Sequence, residues 1–332
     1  MLLPTSAIFA FNANLDHLLS PSEADLSKIE QRLPQLFRQI DECFSWGVQK
    51  EVAIDARTSE TLLSSLKFQR TIVGGQAGNA AQQASALGVK CFLHSNFANE
   101  SLLSRFSHPE RIFVAGEQGF APASGVAPQA PTAHHFVFQS PQSGTRFIAS
   151  HDPVPLHLED SFAQGITAKL AGIPKAFVGG FHLLKTPDRM RKLVEELLRW
   201  KEINPGLRIF CELGEFQSKE VLEAARKELL PFADMVGLND TELASFGVEL
   251  EELAQEAQAL LFHSPQEQRL LPEKRLNRDA LDFARKCACF KAQHAAFATL
   301  SQAEAANAEF VDCPAETVGL GDSFSCAYFM AD

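Results

Sequence analysis

Short apolar runs alternate with stretches of helical periodicity, most clearly in the second half of the chain. Residues 175–180 (Lys-Ala-Phe-Val-Gly-Gly) form an apolar run that predicts a buried strand. From Asp188 to Trp200 the apolar positions Met190, Leu193, Val194, Leu197 and Leu198 fall on one face of a helix. A second strand is predicted over Leu207–Leu213 and a helix over Lys219–Leu230. A third strand follows over Ala233–Leu238, and another helix opens near Asn239. Strands alternating with helices predict an α/β fold whose mainly parallel sheet is covered on both faces. In such sheets ligands lie outside the carboxyl ends of the strands, so residues just past those ends are the candidates for chemistry.

The middle third has a different pattern. Gln118 to Ala133 is rich in Ala, Pro and Gly, and is followed by two β-type runs, His134–Gln139 and Arg146–Ala149, joined by a turn. The pair predicts a hairpin. With a helical segment over Ser22–Trp46 it is expected to form a small lid. The expected division is a discontinuous large domain of residues 1–20, 71–110 and 150–332, and a lid of residues 21–70 and 111–149.

Composition narrows the function. With 332 residues, 45% of them hydrophobic, the chain can bury a large core. A formal net charge of -11 gives nothing to counterion release, which argues against nucleic acid as a partner. A local cluster of cations or a helix N-terminus can still receive an anionic small molecule. The seven cysteines (Cys43, Cys91, Cys211, Cys287, Cys289, Cys313, Cys326) are odd in number and scattered, as expected of free thiols in a reducing compartment. Met1-Leu2-Leu3-Pro4 does not open a secretory signal, and no run approaches the roughly 20 apolar residues of a membrane span. A cytoplasmic protein without a membrane partner is expected.

Five segments carry candidate chemistry. In Thr317-Val318-Gly319-Leu320-Gly321-Asp322-Ser323, two glycines let the backbone approach a ligand at a predicted helix start. Asp322 there can take a proton from an attacking hydroxyl, or simply cap the helix. Asn12-Ala13-Asn14-Leu15-Asp16 follows the first predicted strand, Ala7–Ala10, and its carboxylate can orient two sugar hydroxyls; a plain polar turn is the alternative. Gly74-Gly75-Gln76-Ala77-Gly78-Asn79 offers backbone amides and two carboxamides, or marks close helix–strand packing. Asn239 and Glu242, three apart, are oxygen donors for Mg²⁺ and equally a standard capping box. Glu212 ends the Arg208–Glu212 run. Arg146 is a candidate phosphate clamp or a solvated strand residue. His134, His135 and His182 are read as structural histidines, the first two on opposite faces of a strand.

Taken in order, these segments resemble the ADP-dependent glucokinase/phosphofructokinase family of the ribokinase-like superfamily, from about Ala7 to Met330. The resemblance implies a three-layer α/β/α domain with a small, reduced β-containing lid. It implies a sugar kinase using Mg²⁺ and ADP, with ATP as the alternative donor, and fructose 6-phosphate ahead of glucose as acceptor. A kinase-derived protein that binds sugar or nucleotide with little catalysis is the remaining reading. Carried over residue by residue, Asp322 is the catalytic base, and Gly319 and Gly321 form the anion hole, assisted by Arg146. Asn14, Asp16, Gly74, Gly75, Gln76 and Asn79 hold the sugar. Asn239, His263, Val318, Gly319 and Leu320 meet the nucleotide, and Glu212, Glu242 and Asp322 the metal. Lys50-Glu51-Val52 is expected near the acceptor. Phe210 departs from the family, which has His at that position.

Overall fold

A computed structural model describes residues 2–116, 119–125, 130–153, 170–309, 311–312 and 314–332. Cys313 and parts of the Ala/Pro tract, including Gln118, lie outside the described residues. Along the chain the strands are β1 (Ser6–Phe11), β2 (Asn14–Leu19), β3 (Lys50–Ala53), β4 (Arg70–Gly74), β5 (Lys90–His94), β6 (Ile112–Gly116) and β7 (Gly119–Pro122). They continue with β8 (His134–Gln139), β9 (Arg146–His151), β10 (Lys175–Gly179), β11 (Arg208–Glu212), β12 (Met235–Leu238), β13 (Leu260–His263) and β14 (Gln268–Leu271).

Nine strands form one sheet in the order β14-β13-β12-β11-β10-β1-β5-β6-β7. Its interior pairs are parallel, and only the two edge pairs, β13–β14 and β6–β7, are antiparallel. Alternation along β1 sends Ala7 and Phe9 into the core on one face and Ile8 and Ala10 into the core on the other. The first face is covered by the helices Gln76–Ala86, Arg278–His294 and Leu320–Ala331, the second by the helix Pro187–Ile203. That is the expected three-layer architecture. On Pro187–Ile203 the buried residues are Met190, Leu193, Val194, Leu197 and Trp200, whereas Leu198, expected inside, is 45% exposed. The large Trp200 ring, packed 6.5 Å from Phe11, turns the buried stripe toward itself and Leu198 outward.

The second sheet, β3-β9-β8-β2-β4, contains the expected β8–β9 hairpin. Leu19, Val52, Phe136, Phe138 and Phe147 pack beneath the helices Glu23–Arg32, Pro34–Trp46 and Ala56–Ser65. Asp16, Glu51, His135 and Arg146 are one residue out of phase with that set and lie on the other face. The helical segment expected over Ser22–Trp46 consists of two helices. Pro34, lacking an N–H, opens the second, and Ser22 caps the first by accepting the Asp25 N–H at 3.2 Å. Sheet membership also departs from the expected division. β2 and β4 belong to the small sheet, while β6 and β7 extend the large one. The chain changes sheets across only Asn12 and Ala13, because β2 follows β1 almost at once.

Phe210 lies in the core between Phe177, stacked at 5.0 Å, and Phe329 at 5.3 Å. Phe210→Ala should cost about 3–5 kcal/mol, read as a fall in the midpoint of urea unfolding.

Candidate active site

The helix Leu320–Ala331 starts at Gly319, whose φ of 69° is the left-handed conformation that a side chain would strain. Gly319, not Asp322, occupies the capping position, so the capping alternative for Asp322 is not what the structure shows. The Asp322 Oδ2 instead accepts a hydrogen bond from Asn79 Nδ2 at 2.9 Å. Asn79 sits in the first turn of the helix Gln76–Ala86, whose cap, Gly75, also has a positive φ, 75°. The two glycine motifs therefore meet. A methyl group on Gly319 would stand 2.5 Å from the Asn79 carboxamide, and one on Gly321 would stand 2.7 Å from the His263 ring.

On one side of Asp322 lie the ends of β11 and β13. His263 Nε2 and Glu212 Oε1 are 3.0 Å apart, while Glu212 Oε2 is buried beside Gly237 with no partner among the described residues. Asn239 and Glu242 form a reciprocal capping box. Asn239 Oδ1 accepts the Thr241 and Glu242 N–H groups at 2.9 and 3.1 Å, and Glu242 Oε2 accepts the Asn239 N–H at 2.9 Å. Burial, and then the Glu212 charge, hold the Glu242 carboxyl well above the ordinary carboxylate range. Burial, again followed by Glu212, pushes Asp322 up to about 7. Among the described residues no three His, Cys, Asp or Glu side chains are arranged to grip a metal ion directly, Glu212, Glu242 and Asp322 included. The reason is visible in the bonds above: Glu242 and Glu212 each commit one oxygen to the protein.

On the other side lies the face of the small sheet opposite its helices. Asp16 packs against Gly74, where any side chain would collide with its carboxyl, and Asn14 Nδ2 donates to Asp16 Oδ1 at 2.6 Å. Burial pushes Asp16 up to about 6. His135 is the β8 neighbour of Asp16, and its Nε2 stands 3.2 Å from Asp152 Oδ1. Burial opposes charging this ring, but the Asp152 hydrogen bond and charge, with Glu51 and Asp16, take it up to about 9. Arg146 donates to Gln49 Oε1 at 2.9 and 3.1 Å and to Thr317 O at 3.5 Å, so it spans the small sheet and the C-terminal motif. Gln76 serves the framework: its Nε2 donates to Leu213 O and its Oε1 accepts the Gly180 N–H at 2.7 Å. Both polar ends of that carboxamide are occupied.

Buried polar atoms are normally paired, so unpaired ones mark places built for something else. Asn12 Oδ1, Asn14 Oδ1, Asn79 Oδ1, His182 Nδ1, Glu212 Oε2 and Thr317 Oγ1 are all buried and lack partners among the described residues. They belong to the strand ends and motifs that surround Asp16 and Asp322. By contrast, two surface clefts, one beside Asn277, Asp282 and Glu304 and one beside Gly88, Arg111 and Ser301, contain none of these residues. Val318 and Leu320 flank Gly319, with Val318 N–H donated to Glu316.

Three residues near this site had no place in the expectations: Glu316, Lys291 and Asp152. Lys291 had left a trace, since a lysine four residues after Cys287 interrupts the apolar stripe of its helix. Glu316 and Asp152 sit beside a motif and a strand end, and nothing in their spacing set them apart.

The conserved region of the ADP-specific phosphofructokinase/glucokinase family matches residues 7–273. The chain belongs to that family and is by class a sugar kinase, a phosphotransferase. No curated protein matches the sequence. Among solved structures, a hypothetical ADP-dependent phosphofructokinase from Pyrococcus horikoshii OT3 is 17% identical, with a TM-score of 0.78 over 99% of this chain and 98% of that one. An ADP-dependent kinase in complex with fructose-6-phosphate and ADPbetaS is 18% identical, with a TM-score of 0.77 over 99% and 93%. An adenosine kinase from Sinorhizobium meliloti is 18% identical, with a TM-score of 0.54 over 82% and 77%. The fold is thus shared with ADP-dependent kinases over the whole chain, and little of either ADP-dependent neighbour lacks a counterpart here.

A carboxyl whose folded-state pKa exceeds its unfolded one binds its proton more tightly when folded. The stability Asp16 contributes is therefore present below the usual 3.8 and lost as pH rises through about 6. The loss amounts to about 3 kcal/mol at full ionisation. Asp16→Asn should melt higher than the natural protein at pH 8 and nearly level with it at pH 4, in paired thermal scans.

Proposed function

We propose that this chain transfers the terminal phosphoryl group of ADP to a hydroxyl of a sugar or sugar phosphate, with fructose 6-phosphate ahead of glucose. The observation that carries this reading is the placing of Asp322. It is a half-buried carboxylate in the first turn of a helix, behind two glycines, and its oxygen is fixed by Asn79 from the second glycine motif. A base so placed can receive the acceptor's proton as its oxygen attacks phosphorus and AMP departs. The N–H groups at the start of that helix, from Gly319 to Asp322, are oriented to receive the charge growing on the phosphoryl oxygens. Arg146, tied to Thr317 O, adds a fixed cation from the acceptor side.

Asp16, with Asn14 beside it, supports binding of the sugar hydroxyls. His135, on the same face, is paired with Asp152, so its charge is spent inside the protein and the choice of a phosphorylated acceptor does not rest on it. The neighbour solved with fructose-6-phosphate and ADPbetaS supports the same choice of ligands. The oxygen donors near Asp322 fit a hard cation held through water, since Glu212 Oε2 is buried and unpaired. Glu212 and Asp322 would hold Mg²⁺ arriving with the nucleotide, and that ion would supply charge neutralisation at the phosphates. Phe210, buried between two phenyl rings, lies in the core, so its departure from the family's histidine does not remove any of the groups just named.

The deciding assay crosses ADP and ATP with fructose 6-phosphate, glucose and a nucleoside. The reading expects turnover with ADP and fructose 6-phosphate to exceed every other pair; a preference for ATP, or for the nucleoside, overturns it. Asp322→Asn should fold normally and lower kcat by roughly 10²–10⁴-fold. The natural enzyme's rate should rise with pH as Asp322 loses its proton, with a midpoint below the metal-free value of about 7 because a divalent cation beside it favours the carboxylate.

A further inference from the structure

The segment that leads into the glycine motif is held by a buried carboxylate. Glu316 is 4% exposed. Its Oε1 accepts the N–H groups of both Thr317 and Val318 at 3.0 Å, so the two residues before Gly319 are tied to one oxygen. Its Oε2 receives Arg70 Nη1 at 3.0 Å. Arg70 opens β4, the strand that pairs with β2 through Leu18↔Arg70 and Asn14↔Gly74. The far end of the same strand, Gly74, packs on the Asp16 carboxyl. Behind the segment, Ala315 N–H donates to Ala292 O at 2.6 Å, next to Lys291. Lys291 is 2% exposed, its ammonium lies 3.9 Å from the Phe297 ring centroid, and Glu316 is the foremost acidic charge it faces, with Asp322 next.

Two arginines of the small sheet, Arg70 and Arg146, thus reach successive residues of this segment, Glu316 and Thr317. A buried carboxylate left without its cations is costly, so Glu316 keeps this shape only while Arg70 and Lys291 face it. An amide donor displaced by even an ångström serves a developing charge poorly.

We propose that Glu316 is a positioning residue, which sets the Gly319–Asp322 backbone for phosphoryl transfer and, through Arg70, keeps it in register with the sheet that carries the acceptor. The inference rests on the kinase reading above. It makes Glu316 act through the backbone and assigns it no contact with substrate. A purely structural ion pair is the competing account, and it would spread its effect over stability without singling out turnover.

The test uses Arg70→Met, at a half-exposed position that tolerates exchange, Arg70→Lys, and Glu316→Gln, which keeps a carbonyl oxygen for the two N–H groups while removing the charge. Steady-state kinetics with ADP and fructose 6-phosphate should show kcat lowered about 10–100-fold in Arg70→Met and Glu316→Gln, with both KM values within threefold. Arg70→Lys should recover most of the loss. The double variant should be no slower than the slower single one, because both remove the same link. Hydrogen exchange, read on the natural chain and Arg70→Met without substrate, should rise at least tenfold in residues 315–322 and stay level in β10 to β12. That second readout decides the proposal even if the natural chain transfers no phosphoryl group, so the two ideas fail separately. Turnover within twofold in Arg70→Met, a loss confined to acceptor KM, multiplicative losses, or unchanged exchange in residues 315–322 would each overturn it.

Discussion

Two helices made largely of small side chains, Gln76–Ala86 and Leu320–Ala331, lie against one another, and the active centre depends on how closely they approach. Ala77, Ala80, Ala81 and Ala84 on the first meet Ser323, Cys326 and Ala327 on the second in one core. Cross-links confirm the register: Ser323 Oγ donates to Gln83 Oε1 at 2.7 Å, and Cys326 Sγ lies 3.1 Å from Ala80 O. Interaxial distance follows the size of the side chains between helices. Large residues at this seam would move the helix starts apart, and the Asn79–Asp322 bond is at those starts. Neither glycine motif could work without the other, because each supplies half of the contact that fixes the carboxylate.

The same closeness explains the charge state of the site. Asp322 and Glu242 are crowded beside Glu212, whose charge raises the affinity of both for protons. Left alone, such a cluster opposes folding. Its members persist here beside a glycine-lined space, with one carboxylate oxygen unpaired among the described residues, which fits the proposed binding of a cation with its polyphosphate. The acceptor side has the opposite solution. There the acid Asp152 is neutralised inside the protein by His135, and among the described residues Asp16 is bonded by an asparagine alone.

Much of this could be read from the residues, because the large sheet announces itself through apolar runs of a single period and through glycines at the strand ends. The runs at 175–180, 207–213 and 233–238 became β10, β11 and β12. Convergence of Asp16, Asn79, Asp322 and Glu212 followed once the parallel order of those strands was granted. What escaped was decided by long-range packing. The membership of β2 in the small sheet depends on pairing with β8, more than a hundred residues away, and no local pattern encodes that partner. Gln76 looked like a substrate ligand because its carboxamide is free in the sequence; only the positions of Gly180 and Leu213 reveal that it laces two strand ends together. Glu316 and Arg70, far apart in the chain, become a pair only in three dimensions.

The passage from β1 to β2 through Asn12 and Ala13 has a mechanical meaning. Asn12 O accepts the Gly78 N–H at 3.2 Å, so this short bridge is moored to the large sheet's own helix. At about 3.3 Å of rise per residue, Asp16 sits only a few residues' length from that mooring, whereas the edge strand β3 lies across the breadth of the small sheet. Any rocking of the small sheet about that bridge would therefore be geared down at Asp16, the carboxylate proposed to hold the sugar: the outer rim would sweep widely while Asp16 scarcely left its post.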